Sequence, residues 1–245
     1  MKSDIPILIL AAGKSSRLGK VSQLIKKYYL PITSNDTILS RLVDQSLYYT
    51  NNVFVAVNSD DNTYEGLLDE GILDDRAEVL RVLSSSPNNS VTVNLCLDSL
   101  YSRGYDKCII ISGDTILGNI GTTFKEVYTL FDFMEYSSNS NSLLVGSRLD
   151  EDWRVEVDYS NNNEILDIST DGSAPVSTHS NAILGVYKVD IPYYLSKLSD
   201  DMFYFDDVYV DNYKEMDIGV VFSTIPIYEV DTFDNYIKVL NDFRR

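Results

Sequence analysis

The segment Ile5-Pro6-Ile7-Leu8-Ile9-Leu10-Ala11-Ala12-Gly13-Lys14-Ser15-Ser16-Arg17-Leu18-Gly19-Lys20 decides how this chain is read. Its first six residues are apolar, rich in isoleucine, and end at Ala-Ala-Gly. That pattern predicts a short strand buried on both faces, as in a parallel sheet. Small residues after the strand allow backbone N–H groups to approach a ligand closely. Arg17, and Lys27 ten residues on, supply a planar fork and a point charge suited to phosphate oxygens. The segment is not a P-loop, because G-x-x-x-x-G-K-[ST] is absent, and a G-x-G-x-x-G dinucleotide pattern fails at Ser15.

The same stretch is distinct in charge. The chain has 245 residues, 37 acidic and 20 basic, for a net charge of −17. No acid occurs between Asp4 and Asp36, yet Lys14, Arg17, Lys20, Lys26 and Lys27 all lie there. A local positive site on a negative protein suits a small polyanion. The overall charge argues against general nucleic-acid binding, which depends on Lys and Arg neutralising phosphates, and against an anionic membrane surface. The apolar run 5–12 is far below the roughly 18 residues that would suggest a membrane span. It is short for a signal-peptide core as well, and Asp4 precedes it, so a cytoplasmic protein is expected. Cys96 and Cys108 lack metal spacing and read as buried free thiols. His179, the single histidine, lies in a polar stretch and reads as a surface residue.

Outward from this segment, strand and helix patterns alternate. Helical spacing covers 37–49, with Asn35 or Asp36 as cap, and strands follow at 53–57 and 80–83. A helix capped by Asn89-Ser90 runs to Arg103; Cys108–Ser112 is a strand ended by Gly113-Asp114; 124–136 is helical. The second half reads as strands at 142–147, 154–158, 165–168 and 181–189, with a hairpin signal at Asn161-Asn162-Asn163. A helix at 205–213, strands at 218–222 and 227–230, and a last helix capped by Thr232 complete the chain. The predicted class is α/β, with a mostly parallel central sheet and helices on both faces. With 44% hydrophobic residues the chain can bury a real core. We read one domain, a parallel-sheet half over 1–136 and a mixed-sheet half over 137–245.

Leu10, Ala11, Ala12, Gly13, Arg17, Leu18, Lys27, Leu30 and Pro31 resemble the signature LAAGxGxRL…PKxLxP of nucleotidyltransferases that activate phosphorylated sugars and alcohols. Ser15 stands where that pattern has its second glycine, and Lys26 where it has proline; Ser15 and Gly19 more closely resemble the A-G-x-S-x-R-x-G variant of molybdenum-cofactor guanylyltransferases and related enzymes, so the loop does not choose the branch. Ile109-Ile110-Ile111-Ser112-Gly113-Asp114 resembles the strand that presents the family's magnesium-binding carboxylate. Glu229-Val230-Asp231-Thr232-Phe233-Asp234-Asn235-Tyr236 resembles its E-x-D-T-x-x-D-Y element, whose aspartate supplies the second. The resemblance implies a Rossmann-like nucleotide-diphospho-sugar transferase fold of the GT-A type. It implies Arg17 and Lys27 as catalytic cations, and Mg²⁺ on Asp114 and Asp231. It implies nucleotide contacts from Leu10, Ala11, Ala12, Gly13, Lys14, Ser15 and Ser16. The expected partners are a nucleoside triphosphate and a small phosphorylated substrate; self-association is left open.

Three details resemble the bacterial phosphocholine cytidylyltransferase branch. These are the Asn88-Asn89-Ser90 turn, expected near the base, the Tyr204-Phe205-Asp206-Asp207 stretch, and the ending IYEVDTFDNY. Aromatic rings beside carboxylates suit a quaternary ammonium group, so residues 204–207 are the expected acceptor site, which Trp153 would be free to join. The Glu-Lys-Pro element of the sugar-phosphate enzymes is missing near 167–170. A sugar-1-phosphate nucleotidyltransferase is the alternative within that family. Outside it stand a glycosyltransferase of the same fold, although the Asp-x-Asp metal motif is absent after Gly113, and a non-catalytic nucleotide-binding regulator.

Overall fold

The computed structural model describes residues 2–83, 89–146, 155–160, 165–169, 181–199, 202 and 204–244. The deciding segment forms β1 (Ile7–Ala11), at the centre of the sheet. It pairs in parallel with β2 (Val53–Asn58) on one side and β4 (Lys107–Ser112) on the other. β3 (Glu78–Val82) continues outward from β2. Beyond β4 come β9 (Asn181–Asp190), antiparallel, then β6 (Asn141–Gly146) and β10 (Ile218–Phe222). The strand order is β10-β6-β9-β4-β1-β2-β3, with β7 (Glu156–Tyr159) and β8 (Ile165–Ser169) joined through β9. Among the described residues, both halves of the chain thus contribute to one nine-stranded sheet.

Side chains alternate across β1 and feed two separate cores. Ile7, Ile9 and Ala11 pack on one face with α1 (Ile38–Tyr49), α4 (Phe124–Glu135) and α7 (Phe233–Phe243). Leu8 packs on the other with α3 (Asn89–Ser102), α5 (Ile191–Lys197) and α6 (Asp207–Asn212). This is why β1 reads as a continuous apolar run rather than an alternating one. The predicted class, helices on both faces of a mostly parallel sheet, matches the observed architecture.

Several local expectations shift. Thr37, not Asn35 or Asp36, caps α1, accepting the Ser40 N–H at 3.0 Å, because Asp36 turns back to the Thr33 hydroxyl at 2.9 Å. Asn89 is already helical, and the Ser90 hydroxyl donates to the Met202 carbonyl at 2.6 Å instead of capping. The helix expected over 205–213 is the shorter α6, entered through a turn. Sequence reading missed α2 (Thr63–Asp69), the three-residue β5 (Thr115–Leu117) and α5. α5 carries a usable signal: Asp190 accepts the Tyr193 N–H at 3.1 Å, and a proline sits in the first turn. The strands β7 and β8 do pair antiparallel, whereas Asn161–Asn163, Trp153 and His179 lie outside the described residues. No described helix is long and apolar enough to cross a membrane.

Candidate active site

Strand order reverses between β1 and β4: β2 and β3 extend to one side, and the chain then crosses to β4 on the other. In open α/β sheets, ligands bind outside the carboxyl ends of the strands at such a switch point. Here those ends are Ala11–Gly13 and Ser112–Asp114. They are drawn tightly together, with the Gly113 N–H donating to the Leu10 carbonyl at 3.0 Å. A side chain at Gly113 would sit 2.6 Å from that carbonyl oxygen, so this approach requires glycine.

Past β1, the chain turns through Ser15 into 3₁₀ segments at Ser16–Gln23 and Lys27–Tyr29. Asn58, at the end of β2, donates its side-chain amide to the Ala12 carbonyl at 2.6 Å and fixes the loop's start. Ala11 faces the core and Ser15 is buried, whereas Gly13, Lys14, Ser16 and Arg17 are exposed and Leu10 and Ala12 are half-buried. A Cβ on Gly13 would meet nothing within 4 Å, so open space lies above that backbone.

Asp114 and Asp231 are brought together by a small second sheet. β5 pairs antiparallel with β11 (Ile227–Glu229), and the Val230 N–H donates to the Asp114 carbonyl at 3.0 Å. Thr232 caps α7 by accepting the Asn235 N–H at 3.1 Å. Asp231 is thereby released from capping, and its carboxylate turns to the cleft. The Lys27 ammonium bonds the Asp114 carboxylate and lies 3.5 Å from Asp231 Oδ1. Arg17 donates to the same Asp231 oxygen at 2.7 Å. Lys27 is held above its ordinary pKa: burial pulls it down, and Asp114 and then Asp231 more than offset that.

Glu229, quoted in the sequence element but given no role there, adds a third carboxylate. Burial, followed by Asp114 and Asp231, pushes it well above the usual carboxylate range. A Cβ on Gly185 of β9 would fall 2.6 Å from Glu229 Oε1 and 2.7 Å from Thr115 Oγ1, so glycine makes room for this acidic floor. Among the described residues, no set of three or more His, Cys, Asp or Glu side chains is spaced to hold a metal ion. The donor chemistry of Asp114 and Asp231, two hard oxygens already converging on one cation, fits Mg²⁺ only if substrate oxygens or water complete the shell.

The expected acceptor residues divide. Phe205 is 4% exposed and packs against Tyr187, Tyr194 and Tyr209, with centroids 4.6–5.6 Å away. It is therefore core here. Asp207 accepts the Tyr204 N–H at 2.7 Å. Asp206 accepts from the Tyr187 hydroxyl at 2.6 Å and belongs to the field that raises the Glu229 pKa. Tyr204 and Asp206 are half-buried, and they keep surface at this place. Asn89 and Ser90 begin α3 beyond β3, at the same edge as the charged cluster; the Asn89 side chain and all of Asn88 lie outside the described residues.

No protein-family profile and no curated protein sequence matches this chain. Solved structures do. CTP:phosphocholine cytidylyltransferase (LicC) from Streptococcus pneumoniae superposes with a TM-score of 0.74 at 17% identity, covering 98% of this chain and 99% of that one. A putative glucose-1-phosphate thymidylyltransferase from Bacillus anthracis gives 0.75 at 16% identity, over 98% and 95% of the chains. HddC from Yersinia pseudotuberculosis gives 0.71 at 16% identity, over 98% and 100%. With the charged cleft at its switch point, the chain has the Rossmann-like fold of these structures, two of which are named for nucleotidyl transfer.

Proposed function

We propose that this chain transfers a nucleotidyl group from a nucleoside triphosphate to a small phosphorylated acceptor, releasing pyrophosphate. The observation that carries the reading is the convergence of Lys27 and Arg17 on Asp114 and Asp231 at the switch point. Separated cations would suit any anion, but two cations facing two carboxylates suit a phosphate chain together with a divalent ion. The shared fold supports the reading, as does the motif resemblance.

In the reaction, an oxygen of the acceptor phosphate attacks the α-phosphorus in line. A P–O bond forms there, the bond to the β-phosphate oxygen breaks, and pyrophosphate leaves with its electron pair. The acceptor phosphate is anionic at pH 7, so no strong general base is needed, and the work is positioning and charge neutralisation. Lys27 bridges the α-phosphate and the acceptor phosphate; Arg17 neutralises the β- and γ-phosphates. The loop from Leu10 to Ser16 and the start of α3 at Asn89 and Ser90 cradle the nucleotide. Asp114 and Asp231 would hold Mg²⁺, which when bound supplies charge stabilisation at the α-phosphate.

CTP and a phosphocholine-like acceptor are the specific form we propose. The support is the 204–207 stretch, where Asp206 is half-buried, and the activity for which the pneumococcal neighbour is named. Tyr204 and Asp206 would face the trimethylammonium, with Phe205 and Asp207 behind them as support. A cytoplasmic setting is part of the proposal, supported by two buried free thiols. A second reading, a sugar-1-phosphate acceptor, is favoured by the name of the Bacillus anthracis neighbour. A pyrophosphate-release screen separates them: four nucleoside triphosphates are tested against phosphocholine, phosphoethanolamine and hexose 1-phosphates. Release with CTP and phosphocholine supports the first reading, and release only with a hexose 1-phosphate supports the second.

A further inference from the structure

The turn that carries Lys27 is braced by groups outside the charged cluster. Ser15 Oγ accepts the Lys27 backbone N–H at 2.9 Å. In addition, Asp61 Oδ2 accepts from the Tyr28 and Tyr29 hydroxyls at 3.2 and 3.0 Å. Asp61 is itself fixed: its Oδ1 accepts the Thr63 N–H at 3.1 Å, and its carbonyl accepts from Arg81 Nη1 at 2.9 Å. Ser15 and Asp61 are 7% and 8% exposed, so water competes poorly for these bonds.

Ser15 also has a backbone φ of 56°, the one positive value at a non-glycine among the described residues. That region is costly for any residue with a Cβ, and serine stands here where the related signature carries glycine. What serine adds over glycine is the hydroxyl, and in this structure the hydroxyl's partner is Lys27.

We propose that Ser15 is a positioning residue for Lys27, with Asp61 bracing the same turn through the Tyr28 and Tyr29 hydroxyls. The inference rests on the nucleotidyl-transfer reading above for Lys27's role in turnover. The Ser15 bond fixes the backbone from which the Lys27 ammonium reaches Asp114, and hence the phosphates. Backbone strain is accepted at Ser15 in return for a fixed cation.

The test compares the wild-type chain with Ser15→Gly and Ser15→Ala. It reads melting temperature, amide exchange at Lys27, and kcat and KM for the triphosphate. Ser15→Gly should melt close to wild type, because relief of the left-handed φ offsets the lost hydrogen bond and glycine's freedom in the unfolded chain. Its Lys27 amide should nonetheless exchange about tenfold faster or more, and kcat should fall about tenfold or more with a smaller change in KM. Ser15→Ala keeps the strain and loses the bond, so it should show the same exchange and kcat losses with a lower melting temperature. Wild-type exchange and kcat in Ser15→Gly overturn the proposal, as does a kcat loss that tracks melting temperature across the two variants. A wild-type chain that releases no pyrophosphate from any pair defeats the functional reading instead, and Lys27 exchange in the variants still decides whether Ser15 holds the turn.

Discussion

Lys27 and Asp114 form an ion pair whose side chains are only 16% and 17% exposed, joining the loop after β1 to the end of β4. Each neutralises the other in a cleft with little water. The pair's net charge is close to zero, and an incoming phosphate and divalent ion would exchange partners with it rather than enter a bare field. Asp114→Ala should therefore leave Lys27 to the Asp231 carboxylate at 3.5 Å, without its nearer partner, and lower turnover by about two orders of magnitude or more. Steady-state pyrophosphate release measures this, and near-normal turnover would remove Asp114 from the mechanism.

Arg17 differs in stability terms. Its side chain is 64% exposed and it pairs with Asp231, a surface contact of little worth to the fold. Arg17→Ala should keep the wild-type melting temperature while losing about two orders of magnitude in turnover. A melting scan beside the kinetic assay separates the two effects.

Two glycines make opposite predictions. Gly185→Ala forces a methyl to 2.6 Å from Glu229 Oε1 at a backbone φ of 63°, so it should lower both melting temperature and turnover. Gly13→Ala meets no atom within 4 Å and should leave the fold intact. A weakened triphosphate affinity in Gly13→Ala, read by calorimetry, then reports the ligand occupying that space.

Phe205 and Asp206 separate core from acceptor surface. Phe205→Ala removes a buried ring and should cost about 3–5 kcal/mol of stability, measured by denaturant unfolding. Asp206→Asn keeps the shape beside Tyr187 and should act mainly on KM for a cationic acceptor, leaving the triphosphate KM near wild type.

Asp217 gives a pH signature at the junction of the chain's halves. Its carboxylate accepts the Ser140 N–H at 2.6 Å and the Asn139 amide at 2.7 Å, tying the polar 137–142 stretch to the start of β10. The Ser140 backbone bond, against a small burial penalty and with help from Asn139, lowers its pKa below the ordinary 3.8. A carboxylate depressed in the folded state adds stability above its unfolded pKa and loses it as pH falls through the folded one. Asp217→Asn should melt below wild type at pH 7, with the gap closing below pH 3.8.

The sequence disclosed those parts of the fold set by local pattern. β1 was readable because both its faces are buried, and α7 because Thr232 caps an apolar stripe. β5 and β11 were not fully readable: each is three residues long, and their pairing joins positions more than a hundred residues apart. That pairing brings Glu229 and Asp231 to Asp114, so the motifs gave roles to two of the acids while a place for the third, Glu229, emerged only from packing. Phe205 shows the converse limit, since an aromatic beside two aspartates looks the same in sequence whether its ring faces solvent or core. Ser15 was visible as a serine in place of the common glycine, but its hydroxyl had no role until the turn put it beside the Lys27 amide.

The most direct test of the central claim is phosphorus NMR of the purified chain incubated with CTP, phosphocholine and Mg²⁺. The account predicts that the triphosphate and phosphocholine signals decline together, while inorganic pyrophosphate and a diphosphate diester of cytidine and choline appear in equal amounts. An unchanged spectrum there, and equally with the other triphosphates and hexose 1-phosphates, would contradict nucleotidyl transfer altogether.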